Sequence, residues 1–120
     1  MVFCDNLLKE VMGMIYELRI YTIHKGRMEN IKNRFKDKAF ALFKKHSMTI
    51  IDFWEDLIDD KIYYLVQHPD VETRNRNFEA FFKDPEWIEA KRISELDGPI
   101  VAKSESYLMS RVSFSPANKL

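Results

Sequence analysis

Glu17 and Arg19 stand two residues apart in Ile15-Tyr16-Glu17-Leu18-Arg19-Ile20-Tyr21-Thr22, a stretch rich in β-branched and aromatic residues. Such residues suit a pleated strand, and side chains alternate along a strand. Ile15, Glu17, Arg19 and Tyr21 then share one face. Tyr16, Leu18, Ile20 and Thr22 share the other, which is nearly apolar. A carboxylate and a guanidinium beside a phenol can bind and orient a small polar group, so the mixed face is the first place to look for function. A second charged alternation, Lys103, Glu105 and Tyr107, lies near the carboxyl end. If the first and last strands are neighbours, Lys103 and Glu105 can lie beside Glu17 and Arg19 across the ladder. The four charges then form a polar site lined by Tyr21 and Tyr107, or a buried network that fixes register and dimer geometry. Equal opposite charges leave little unpaired for a substrate, which favours the network.

The other chemistry-bearing residues are scattered. His24, His46 and His68 show no ligand spacing. His46 falls near the apolar stripe of a helix, where it is an acid–base group, an axial haem ligand or a histidine closing the helix end. The last is the ordinary role of such a residue. Tyr21, His46, Trp54, Tyr64 and Trp87 are candidates to line a pocket between helices and sheet, although aromatics at such spacing also make plain core. No nucleotide-binding glycine loop, nucleophile elbow or zinc pattern is present. The acidic run Glu55 to Asp60 lacks the glycine-containing spacing of a calcium loop and reads as a hairpin turn. No metal is expected, and no cofactor follows from the residues.

Composition narrows the classes. A chain of 120 residues with 46% hydrophobic content is one globular domain. Lys+Arg and Asp+Glu both number 19, so net charge gives no reason to expect nucleic acid as a partner. No apolar run reaches the length of a transmembrane segment, and the amino terminus lacks a signal-peptide pattern. The single cysteine, Cys4, excludes an intrachain disulfide and fits a reducing compartment such as the cytoplasm. With no base near it in sequence, Cys4 reads as inert.

These residues need elements to position them. Residues 1–13 read as an extension in which Phe3, Leu7 and Val11 recur at helical spacing. Residues 14–116 form the domain and 117–120 a tail. After the first strand and a turn at Lys25-Gly26, Met28, Ile31, Phe35, Ala39, Leu42 and Phe43 make one helical stripe, with Phe40 to its side. The opposite side is basic, Arg34 included, and reads as a solvated face. Ile50 to Trp54 and Ile62 to Val66 are strands. Asp70 caps a helix carrying Val71, Phe78, Phe81 and Phe82 on one face. Asp84-Pro85 starts another, whose weak periodicity suits burial on more than one side. Val101 to Met109 is the fourth strand. One of its faces holds Lys103, Glu105 and Tyr107, the other Ser104, Ser106 and Leu108. The order strand, helix, strand, strand, helix, strand predicts a ferredoxin-like α+β fold, a four-stranded antiparallel sheet with helices on one face. The strands carry large apolar residues on both faces, so burial of the open face by a second copy is expected, giving a homodimer.

The stretches Ile15 to Thr22, Leu42-Phe43-Lys44-Lys45-His46-Ser47-Met48, Phe53-Trp54, Asp84-Pro85-Glu86-Trp87, Glu105-Ser106 and Phe114-Ser115-Pro116 together resemble the NIPSNAP family. The likeness is collinear from about Met14 to Pro116. It implies a dimeric α+β barrel, in which two ferredoxin-like sheets face each other. The family has no generally assigned reaction. Its eukaryotic members are associated with mitochondria and with protein partners, and related barrels include monooxygenases, isomerases and haem-binding enzymes. Ser47 departs from the pattern, which has glycine where the helix closes in a left-handed conformation; that leaves the helix end open.

Two readings of function follow. One is a small-molecule-binding barrel, enzymatic or not, taking a small, partly apolar organic ligand. The other is a non-catalytic protein–protein interaction module. A ligand-sized cavity near Glu17, Arg19, Trp54 or His46 would mark the first, and a closed core the second.

Overall fold

A computed structural model describes residues 13–118. The expectations for Cys4 and for the helical spacing of Phe3, Leu7 and Val11 lie outside those residues. Four strands form one antiparallel sheet: β1 (Ile15–Ile23), β2 (Thr49–Glu55), β3 (Lys61–His68) and β4 (Val101–Ser110), in the order β2-β3-β1-β4. The helices are α1 (residues 28–45), α2 (Val71–Lys83) and α3 (Pro85–Ser94). This is the ferredoxin-like α+β fold that the order of elements predicts. The acidic run between β2 and β3 is a hairpin turn, held by Asp56 accepting from the backbone N–H groups of Ile58 and Asp59 at 2.9 Å each.

α1 is not regular throughout. It is α-helical over Met28–Arg34, turns as a π-helix over Phe35–Ala39 and resumes as α over Phe40–Lys45. The wider turn rotates the faces that follow it. Ile31, Phe35, Ala39, Leu42 and Phe43 are all buried against the sheet, and Arg34 is buried with them. Arg34 therefore departs from the expectation of a solvated basic face. The helix closes with a left-handed Ser47, φ 61°. Met48 N–H donates to the Phe43 carbonyl at 2.9 Å and Ser47 N–H to the Lys44 carbonyl at 3.0 Å, the paired bonds of a Schellman closure. Serine thus adopts the conformation that favours glycine.

Asp70 caps α2 by accepting from Thr73 N–H at 2.7 Å. Asp84 caps α3 by accepting from Glu86 N–H at 2.9 Å, with Pro85 in the first turn. On α2 only Phe78 and Phe81 of the predicted face are buried, whereas Val71 and Phe82 are half exposed. α3 buries Ala90 alone, with Ile88 and Ile93 half exposed, so the expectation of burial on more than one side does not hold. Its weak periodicity reflects a lightly packed outer helix.

The helices cover the sheet face that carries Glu17, Arg19 and Tyr21, together with Ile62, Tyr64, Val66 and His68. The nearly apolar face of β1 is the one left open, and the helices cover the charged one. The open face joins Tyr16, Leu18 and Ile20 to Tyr63 and Leu65 of β3, Trp54 of β2, and Tyr107 and Met109 of β4. No helix among the described residues is long and apolar enough to cross a membrane.

Candidate functional site

Glu17 is fully buried beneath the helices. Its Oε1 accepts from His68 Nε2 at 3.0 Å and Arg74 Nε at 3.0 Å. Its Oε2 accepts from Arg74 Nη2 at 2.7 Å, Arg19 Nη1 at 2.8 Å and Ser106 Oγ at 2.5 Å. A buried carboxylate is retained in ionised form only when its lone pairs are filled, and here they are. Burial pushes the Glu17 carboxyl up, but the hydrogen bonds from His68, Arg74, Ser106 and Arg19 outweigh it and hold the group well below its ordinary range.

Arg19 spends its other donors on phenols. Nε donates to Tyr64 Oη at 2.6 Å and Nη2 to Tyr21 Oη at 3.2 Å, while the two hydroxyls lie 2.8 Å apart. Burial pushes the Tyr64 hydroxyl well up, so it stays protonated. The Arg19 and Arg74 guanidinium carbons lie 4.8 and 4.9 Å from the ring centroid of Phe78. Both cations thus gain from the same aromatic ring.

The proposed four-residue cluster is divided by register. Arg19 faces Ser106 across the β1–β4 ladder, whereas Glu105 faces Ile20 and Lys103 faces Thr22. Glu17 and Arg19 stay together under the helices. Lys103 and Glu105 lie on the open face, 3.4 Å apart, where Glu105 accepts from Tyr107 Oη at 2.7 Å. An offset of one residue moves every side chain to the other face.

The proposed pocket residues divide as well. Tyr21, Tyr64 and Trp87 lie between helices and sheet. Trp54 is on the open face and half exposed, because the irregularity between Ile50 and Asp52 turns Phe53 inward instead. His46 ends α1, and its Nε2 lies 2.7 Å from Asp84 Oδ2, which also meets Lys45 Nζ at 2.8 Å. Those contacts, with the capping bond from Glu86 N–H, hold the Asp84 carboxyl well below its ordinary range. They join the end of α1 to the start of α3.

Arg34, Arg74, His68 and Ser106 belong to the site and were not singled out by sequence reasoning. Three carried a signal. Arg74 stands four residues before Phe78, hence on the same helical face. His68 continues the alternation of Ile62, Tyr64 and Val66. Ser106 needed the register, whereas Arg34 stands three residues after Ile31 in the regular part of α1 and so on the same buried face.

Arg19, Tyr21 and Arg34 line a cavity of about 20 Å³ walled by Phe35, Ala39, Phe43, Phe78, Phe81, Phe82 and Trp87. That is room for about one water molecule. Arg34 Nη1 donates to Ser94 Oγ at 3.2 Å, lies 3.7 Å from Glu95 Oε1, and its guanidinium carbon sits 5.2 Å from the centroid of Trp87. Burial lowers its proton affinity, partly offset by Glu95. The larger hollows are surface troughs, about 560 Å³ between α1 and α3 and about 370 Å³ between α1 and β2. Neither brings buried polar groups together. No group of three or more metal-ligating side chains occurs among the described residues.

Solved structures share this arrangement of elements. An uncharacterised NIPSNAP-like domain protein from Burkholderia xenovorans superposes with a TM-score of 0.77 at 23% identity, covering 88% of this chain and 90% of that one. A NIPSNAP family protein of unknown function from Agrobacterium tumefaciens gives 0.76 at 20% identity, covering 88% and 94%. A candidate antibiotic biosynthesis monooxygenase from Nitrosomonas europaea gives 0.62 at 8% identity, covering 86% and 94%. At these identities the likeness shows the fold. No curated protein matches the chain. The NIPSNAP family profile matches residues 16–116, a span that runs from the strand holding Glu17 and Arg19 past the last strand of the sheet, and the chain belongs to the NIPSNAP family.

Proposed function

We propose that this protein is a homodimeric barrel that binds a small, partly apolar organic ligand between the helices and the sheet of each subunit. The observation that carries the ligand is the convergence of Arg19, Tyr21 and Arg34 on a void that holds about one water and is otherwise walled by aromatic rings, which a ligand must displace to enter. The π turn of α1 supports it, since Phe35 and Ala39 at its two ends both line that space, and such turns are frequent at functional sites. The dimer is supported by the open sheet face, where Trp54, Tyr107 and Met109 are each 40% exposed or more. A patch of that kind fits a second copy of the same sheet.

A non-catalytic interaction module is the second reading. The small size of the cavity favours it, since a filled interior needs no ligand. Calorimetric titration of the wild-type protein with benzoate and with benzamide, two ring-sized probes, separates the two. Saturable binding of at least one probe, at one site per subunit, is expected. Phe82→Ala, which opens the half-exposed outer wall, should tighten it. No saturable heat from either probe would contradict the ligand reading.

A further inference from the structure

Resting on the ligand reading above, we infer that the molecule admitted beside Arg19 is a small monocarboxylate with an aromatic or branched apolar body, its charged head held between Arg19 and Arg34. The first support is charge. Arg19 and Arg74 both pair with Glu17, Arg34 lies 3.7 Å from Glu95, and the part-buried Arg27 adds a further cation near Arg34. The guanidinium groups thus outnumber the carboxylates they face. Buried charge is costly without a partner, so an anion is the ligand that suits them.

The second support is the donor inventory. A guanidinium carries five N–H donors. Arg19 uses one each on Glu17, Tyr21 and Tyr64. Arg34 makes one side-chain hydrogen bond among the described residues, to Ser94. Both side chains line the same cavity, so unused donors from two planar forks border it. Such forks match the two oxygens of a carboxylate. The third support is the wall. Phe35, Phe78 and Phe81 surround the cavity with rings, which take an apolar or aromatic body in offset or edge-on packing.

Entry requires the cavity to widen. Phe82 is 53% exposed and forms its outer wall with Trp87. Displacing these two rings enlarges the space and gives up the packing of Phe82 on Phe78 and of Trp87 on Phe81. Arg34, stacked on Trp87, would turn from the indole to the incoming anion.

The test compares benzoate, benzamide and phenyl phosphate by calorimetry, with the Trp87 indole N–H resonance as the reporter of place. Benzoate should bind at least about tenfold more tightly than benzamide, the discrimination of one charge-assisted hydrogen bond, and should shift the Trp87 signal. Arg34→Gln should erase that preference, so that benzoate and benzamide bind the variant with equal affinity. Arg34→Lys, which keeps the charge and loses the fork, should lower benzoate affinity several-fold and covers the case in which the glutamine variant fails to fold. Equal binding of benzoate and benzamide would overturn the anion and leave the ligand reading standing. Tighter binding of phenyl phosphate would overturn the monocarboxylate. Binding of neither benzoate nor benzamide would overturn both readings.

Discussion

Arg19 and Arg74 meet at one carboxylate. Arg19 reaches Glu17 from two residues along the same strand, at 2.8 Å, and Arg74 comes down from α2 with a two-pronged contact at 2.7 and 3.0 Å. The sharing makes the three residues unequal. Removing Arg74 leaves Glu17 compensated by Arg19, whereas removing Glu17 leaves two cations facing each other without an anion. Glu17→Gln should therefore cost about 3–5 kcal/mol, as for a broken buried pair, and Arg74→Met about 1.5–3 kcal/mol. The double variant should cost less than the sum by about 1 kcal/mol or more. Denaturant unfolding of the three variants checks this, and additive losses of equal size would contradict it.

The same network makes stability depend on acid. The carboxyl of Glu17 is depressed in the folded chain from its usual 4.5. Its contribution is then present above pH 4.5 and is lost as pH falls below that value. Asp84 and Asp56 are depressed too, the latter to about 2 through the backbone N–H groups of Asp59 and Ile58 and the Tyr63 hydroxyl. The signature of Glu17 is thus a difference. Wild type should lose more stability than Glu17→Gln between pH 5 and about 3, and parallel curves would mean that Glu17 is not the titrating group.

Ser47 carries a backbone cost in the left-handed region, at φ 61°. Glycine there removes the contact between Cβ and the backbone that disfavours this conformation. Ser47→Gly should stabilise the protein by about 1 kcal/mol, seen as a higher thermal midpoint. A loss of stability would mean that the serine side chain supplies something that its geometry does not show.

Much of this was legible in the sequence, and the failures share a cause. The alternation of β1, both helix caps and the content of each β4 face follow from local rules. What failed was the relation between elements. The offset between Thr22 and Ile23 sets Lys103 opposite Thr22, and so decides that Ser106, not Glu105, meets Glu17. The irregularity in β2 likewise exchanges Trp54 for Phe53. The π turn of α1 shifts the face that follows Phe35. Each is an irregularity inside an element, invisible to a fixed period of two or 3.6. The premise of equal buried charges failed for the same reason, since Lys103 and Glu105 leave the interior and Arg74 enters it.

The proposed homodimer rests on the open sheet face. Leu18 sits near its middle, paired with Leu65 on one side and Tyr107 on the other. Sedimentation at micromolar concentration should give a dimer for wild type. Leu18→Lys, which places a charge at the centre of the contact, should give a folded monomer. A wild-type monomer with this face uncovered would contradict the barrel.

The place of binding tests the central claim most directly. The Ala39 methyl group lines the cavity and is buried, so a molecule can reach it only from between helices and sheet. With alanine and leucine methyls isotopically labelled and benzoate in excess, nuclear Overhauser contacts from the benzoate ring to the Ala39 methyl are expected, and Arg34→Gln should need a higher benzoate concentration to show them. Contacts confined to Leu18 and Leu65 of the open face, or none at all, would contradict a ligand site at Arg19.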